Sequence, residues 1–311
     1  MKYSIVFPGQ GSQSLGMLSN LNSNFSVVRE VFQEASDALG IDLWKIAQED
    51  QEALNLAVNT QPIMLASSYA TFKVLSNEVK LSPVCFAGHS LGEYTALVAS
   101  KSLNFCDAVK LVRRRAELMQ SAVPIGAGSM FVILGLEDQK IIELCAQASE
   151  IGVVEAVNFN SPGQVVIAGD NKAVVYACEL MKNAGAKRAL VLPVSVPSHC
   201  SLMEDAAIDF KHSVENVNFK MGAERVIHNV DAKYSDNIKE IKSKLVEQLH
   251  KPVLWTLTVQ NMKKLGVELL IEAGPGKVLA GLTRRIDKSL SGSAIIDMTT
   301  LKSTIEGISD A

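Results

Sequence analysis

Short β-branched runs alternate with stretches of helical period along most of the 311 residues, which predicts parallel strands joined by crossover helices. Tyr3 to Phe7 is the first strand, stopped by Pro8-Gly9. Asn22 to Leu39 and Gln61 to Leu75 have helical period, the second with Pro62 at its start, where a missing N–H does no harm. Val84 to Ala87 is a short apolar run that suits a strand buried on both faces. Gly88 ends it, and a helix is predicted to begin at once around Gly92-Glu93.

The rhythm changes between Ser129 and Val194. Strands are predicted at Ser129 to Leu134, Val153 to Asn158, Val165 to Ala168 and Arg188 to Val194, with helices at Asp138 to Ser149 and Lys172 to Asn183. That is β-α-β-β-α-β, the order of a ferredoxin-like unit, with Gly126, Gly128 and Pro193 to Pro197 as the crossings into and out of it. Beyond Pro197 the α/β pattern resumes. Helices are expected at Ser201 to Val214, Ile238 to Leu249 and Leu254 to Leu265, and strands at Arg225 to Val230 and Val267 to Glu272. The division predicted is one large α/β domain, residues 1–126 and 197–311, interrupted by a small inserted domain, 127–196. A cleft between the two is the expected place for a site. Roughly the last 25 residues are too weakly patterned to assign an element.

Composition narrows the class. Apolar residues make up 48% and charged residues 20%, an ordinary globular balance. Thirty Lys and Arg against 33 Asp and Glu give a net charge of −3, so no surface on the scale of the molecule would hold a polyanion, and nucleic acid is not an expected partner. The five cysteines are dispersed and odd in number, which argues for a reducing compartment and hence a cytoplasmic enzyme. The apolar run before Pro8-Gly9 is too short for a signal-peptide core, and no stretch approaches the ~20 residues needed to span a bilayer, so no membrane association is expected.

Gly88-His89-Ser90-Leu91-Gly92 fits G-x-S-x-G between a predicted strand and a predicted helix. A sharp turn of that kind lifts the Ser90 oxygen clear of the backbone, and it leaves Leu91 N–H at a helix start as a candidate oxyanion donor. A serine nucleophile needs a base, and there are five histidines. His89 would point away from its neighbour, His212 and His250 lie on or at the end of helices, and His228 falls in a presumed strand. His199, in the stiff turn Val196-Pro197-Ser198-His199-Cys200 where the chain re-enters the large domain, would overlook the cleft. Cys200 is a rival nucleophile, although adjacent residues in an extended turn diverge. Arg115 falls on the apolar stripe of the helix predicted from Asp107 to Gln120, with Arg113 and Arg114 to either side of it. A guanidinium there needs an anion, either an internal carboxylate or a substrate's. Gly9-Gln10-Gly11 is a poor dinucleotide fingerprint, and Gly274-Pro275-Gly276-Lys277 is no P-loop because Val278 stands where Ser or Thr should be. The loop after the first strand could instead supply N–H groups to an oxyanion hole.

Phe7-Pro8-Gly9-Gln10-Gly11-Ser12-Gln13, Gly88 to Tyr94, Asn158 to Gln164 and Val194 to Cys200 together resemble the malonyl-CoA:acyl-carrier-protein transacylases of bacterial fatty acid synthesis. The likeness runs from residue 3 to about 286. It implies an α/β-hydrolase-like core with a ferredoxin-like insert, Ser90 as acyl-accepting nucleophile and His199 as its base. It further implies that the backbone carbonyl of Gln248 orients His199, that Arg115 pairs with the malonyl carboxylate, that Gln10 and Leu91 N–H groups form the oxyanion hole, and that Asn160 and Gln61 line the pocket. No metal and no cofactor is implied; malonyl-CoA is substrate, acyl carrier protein is partner, and a monomer is expected. A serine hydrolase, a polyketide loading acyltransferase or a non-catalytic scaffold for carrier protein remain the alternatives at this point.

Overall fold

The computed structural model describes residues 1–124, 126–194 and 196–309, so Ser195 of the predicted crossing lies outside the described residues. Among them run nine strands in chain order: β1 (Tyr3–Phe7), β2 (Phe86–Gly88), β3 (Gly128–Leu134), β4 (Val154–Ser161), β5 (Gln164–Asp170), β6 (Arg188–Val191), β7 (Val226–Ile227), β8 (Leu269–Ala273) and β9 (Ser291–Ile295). They form two sheets. The larger is parallel, in the order β7-β2-β1-β8-β9, and the smaller is antiparallel, in the order β4-β5-β3-β6 that β-α-β-β-α-β units adopt.

Every residue of β1 and β8 is buried, as central strands with helices on both faces must be. Alternate side chains of β1 feed two cores: Tyr3, Ile5 and Phe7 join the large cluster that takes in Phe32, Val74 and Leu97, whereas Val6 packs on the other side with Trp255, Val259 and Leu270. In the small sheet, Ile133, Val165 and Ile167 pack beneath the helices Asp138–Ala148 and Asn171–Asn183. Met130, Val157 and Val166 take the opposite face with Cys200. Backbone bonds from Val253 N to Val157 O and from Phe159 N to Val253 O, 2.8 and 3.0 Å, tie β4 to the larger layer.

Several predicted elements change at their ends, each for a tertiary reason. The strand expected at 84–87 forms at Phe86–Gly88, because Val84 and Cys85 make only single bonds to Tyr3 and Ile5. The helix expected from Asn22 to Leu39 divides into Ser19–Asn22 and Val27–Leu39, the break falling where Ser23 and Asn24 turn their side chains back onto Ser19 and Asn20 carbonyls. Pro62 lies inside the helix Ala57–Glu78 and not at its start. Its missing N–H frees the Val58 carbonyl, which accepts from Arg113 Nη1 at 3.0 Å. The strand expected at Arg225 to Val230 is only Val226–Ile227, since His228 and Asn229 enter a tight turn. At the C-terminus, β9 and the helix Met298–Ser309 form where the sequence pattern predicts no element. Among the described residues no helix is long and apolar enough to cross a membrane.

Two glycines set the geometry of the turn after β2. A Cβ on Gly88 would lie 1.9 Å from the Gly92 carbonyl carbon, and one on Gly92 would lie 2.1 Å from the Phe7 carbonyl oxygen. Backbone cannot retreat as a flexible side chain can. Gly92→Ala should therefore destabilise the protein by at least about 3 kcal/mol, measured as a lowered urea midpoint, while Gly281→Ala, whose Cβ meets nothing within 4 Å, should not.

Candidate active site

At the C-terminal end of β2 the chain turns through His89, Ser90 and Leu91 into the helix Gly92–Ala99. Ser90 sits at φ 50°, a left-handed conformation that non-glycine residues adopt only when their surroundings over-determine it. The surroundings here are two buried amides. Asn229 accepts from Ser90 N at 2.6 Å and donates to Gly88 O at 2.7 Å, while Gln248 Nε2 donates to Ser90 O at 3.0 Å.

His199 is also left-handed, at φ 68°, with its N–H donating to Leu249 O at 3.0 Å. Its Nδ1 lies 2.6 Å from Gln248 O. A carbonyl can only accept, so Nδ1 carries the proton and Nε2 presents a lone pair. That lone pair faces Ser90 Oγ at 2.8 Å. Burial first, and the nearby Arg115 charge second, push the imidazole down to about 3, so it is neutral near pH 7 and able to take the serine proton.

Arg115 descends from the helix Phe105–Ala122 into the same cavity, of about 100 Å³, and is buried. Its Nη1 donates to Gln61 Oε1 at 2.9 Å, and its Nη2 to Gln248 Oε1 at 3.1 Å and to Ser90 Oγ at 3.2 Å. Its guanidinium also lies 5.7 Å from the Tyr94 ring centroid. All three hydrogen-bond acceptors are neutral. Among the described residues no carboxylate lies within ion-pair distance of Arg115, and its Nε finds no acceptor. Arg113 and Arg114 instead pair with Glu117 towards solvent. The internal salt bridge that the sequence left open is absent from the described residues.

A carboxylate does lie close by, but its oxygens are occupied. Glu93, buried one position beyond Gly92, accepts from Asn229 N and Gln248 Nε2 at 3.0 and 2.8 Å, and its Oε1 lies 2.7 Å from His228 Nδ1. Sequence reasoning missed this cluster. A glutamate in the otherwise uncharged helix Gly92–Ala99 was the available signal; His228 and Asn229 lie 135 residues or more from the groups they bind, and nothing local marks them.

The remaining candidates lie nearby. Leu91 is buried and Gln10 exposed, and both line the cavity; among the described residues neither backbone N–H has an acceptor. Gln61 binds Arg115 directly. Asn160 is placed differently from expectation: Asn158 lines the cavity, while Asn160, two residues further along β4, is hydrogen-bonded through Oδ1 to His89 Nε2 at 2.8 Å. Cys200 is buried and bonded to Pro197 O, and burial pushes its thiol up to about 12, so no thiolate competes with Ser90. Among the described residues no group of three or more His, Cys, Asp or Glu could hold a metal ion.

The neutral imidazole has a consequence for stability. A histidine whose folded pKa is depressed takes up its proton only on unfolding, so stability is complete above pH 6.5 and is lost as pH falls towards 3. His199 should contribute a slope of at most about 1.4 kcal/mol per pH unit in that window. Urea titrations between pH 7 and 4 should show a shallower decline for His199→Ala than for the unaltered protein.

Comparison with known proteins extends over almost all of this framework. The malonyl CoA-acyl carrier protein transacylase of Haemophilus influenzae is 50% identical over 307 residues, 98% of each chain. Its Escherichia coli counterpart is 48% identical over 306 residues, 98% of this chain and 99% of that one. A solved acyl carrier protein S-malonyltransferase from Vibrio cholerae superposes with a TM-score of 0.95 at 50% identity, covering 98% of this chain and all of the other. A malonyl-transacylase solved in complex with a type II polyketide acyl-carrier protein gives 0.97 at 47%, covering 99% and 100%. Residues 4–295 match the model of the acyl transferase domain, and with the β2 turn, its serine and the buried arginine all inside that span, the chain belongs to this family.

Proposed function

We propose that this protein moves a malonyl group from malonyl-CoA to the phosphopantetheine thiol of acyl carrier protein, in fatty acid synthesis, through an acyl-serine intermediate. The observation that carries this reading is Arg115: a buried cation with only neutral partners, 3.2 Å from a hydroxyl that is itself bonded to a neutral imidazole. A substrate that ends in a carboxylate would complete it. Relatives at 48 and 50% identity bearing the malonyl transacylase name support the same substrate, and the structural relative solved with a carrier protein supports the acceptor.

In this mechanism Ser90 Oγ attacks the thioester carbonyl carbon and passes its proton to His199 Nε2, whose imidazolium is steadied by the Gln248 carbonyl. The oxyanion is received by Gln10 and Leu91 N–H. The C–S bond breaks, and His199 returns the proton to the CoA sulfur. The carrier-protein thiol then attacks malonyl-Ser90, giving up its proton to His199, and the steps run in reverse. Thioester is exchanged for thioester, so the site must disfavour water as second acceptor. Gln61 holds Arg115 in place, and Asn160 acts on the pocket wall through His89. The enzyme works as a monomer in the cytoplasm and needs no metal or resident cofactor.

Mixing with malonyl-CoA alone should give a malonyl adduct by intact mass spectrometry that is absent in Ser90→Ala. It should persist until carrier protein is added, whereas rapid release of free malonate would indicate a hydrolase. Arg115→Ala should lower malonyl transfer about 100-fold or more while sparing or improving acetyl transfer.

A further inference from the structure

Arg115 makes two kinds of contact that a simple substrate clamp does not require. Its Nη2 donates to the nucleophile, Ser90 Oγ, and its charge faces the ring that must receive the nucleophile's proton. Ser90 Oγ already donates to His199 Nε2, so the Arg115 contact occupies one of the two oxygen lone pairs, one of which must attack.

The charge matters more than the lone pair. In the tetrahedral intermediate the serine oxygen is a neutral ether-type atom, the oxyanion sits at the Gln10 and Leu91 N–H groups, and His199 alone holds the transferred proton. A guanidinium with no carboxylate in ion-pair contact, beside that imidazolium, opposes its formation, and it does so in a buried site where charge interactions are screened least. The other groups facing His199 do not offset it. His89 lies on the same side of the balance as Arg115, and the Gln248 and Lys251 carbonyls favour the imidazolium but are outweighed by burial and the cation together. Glu93 eases the burial of Arg115 through its charge, but its oxygens are hydrogen-bonded to His228, Asn229 and Gln248 and it makes no ion pair with the guanidinium, whose opposition to the imidazolium persists.

We propose that Arg115 is a two-position specificity device: in the empty cleft it restrains Ser90 and opposes protonation of His199, and an acyl carboxylate that takes the guanidinium releases the hydroxyl and cancels the opposing charge. The proposal rests on the malonyl reading above and deepens it. Discrimination then arises in the rate of acylation as well as in binding, because an acyl group without a carboxylate leaves the nucleophile restrained and the base weakened. The carboxylate need not be part of the reacting acyl group for the device to operate.

Acetyl-CoA can acylate Ser90, forming the Oγ–acetyl bond and releasing CoA as the thiol, but it brings no carboxylate. Formate, small enough to reach Arg115 beside an acetyl group, should raise the rate of acetyl-Ser90 formation about three- to tenfold at saturating acetyl-CoA, the range that up to one unit of base strength provides. Chloride at equal ionic strength should not. Formate should also slow malonyl transfer by competition. In Arg115→Met the acetyl rate should already be raised, its acid limb should lie at higher pH than in the unaltered protein, and formate should change neither. No acceleration by formate in the unaltered protein, which requires no variant to fold, would overturn the device while a malonyl adduct on Ser90 leaves the function standing. Absence of that adduct would overturn the function itself.

Discussion

The geometry at Ser90 depends on a backbone conformation that the residue does not favour by itself. At φ 50° the serine is held only because Asn229 and Gln248 bond its N–H and its carbonyl. Those two amides come from different elements, one from the turn after β7 and the other from the end of the helix Ile238–Glu247. Gln248 has a second duty, since its backbone carbonyl fixes the tautomer of His199. The groups that bend the nucleophile into view therefore also aim the base at it. Left-handed residues cost of order 1–3 kcal/mol each, and here two of them face one another across 2.8 Å.

Two buried charges of opposite sign lie in this cluster without pairing. Burial of an ion costs several kcal/mol unless hydrogen bonds compensate, and each ion has found a different solution. Glu93 collects two donors and a histidine contact. Arg115 collects three neutral acceptors and the face of Tyr94. Gln248 lies between them, giving its N–H to Glu93 and its oxygen to Arg115, so that one amide separates the charges while linking their positions. The result is an arginine kept in place by neutral partners with its charge available to the cleft.

Much of this was legible in the sequence. The Gly88-to-Gly92 motif announced its turn, because glycines are the only residues whose lack of a Cβ admits the backbone contacts found at Gly88 and Gly92. The inward placement of Arg115 was legible from helical period, though not what it would meet there, and the place of His199 at the cleft from the return crossing. The small sheet followed from a change of rhythm. Less legible were β9, whose Ser-Gly-Ser-Ala-Ile carries no alternation and becomes a strand only by pairing with β8, and the shortened β7, whose following residues are drawn away by Glu93 and Ser90.

The sequence by itself determined which chemical groups are present and which local turns and helix faces carry them, since those follow from φ/ψ preference and periodicity over a few residues. Only the tertiary structure decided which groups meet. Asn229 reaches Ser90 across 139 positions and Gln248 reaches it across 158, distances over which no local rule operates. The same holds for the absence of a carboxylate partner at Arg115: the chain contains 33 acidic residues, and only packing could keep every described one of them out of ion-pair reach of it.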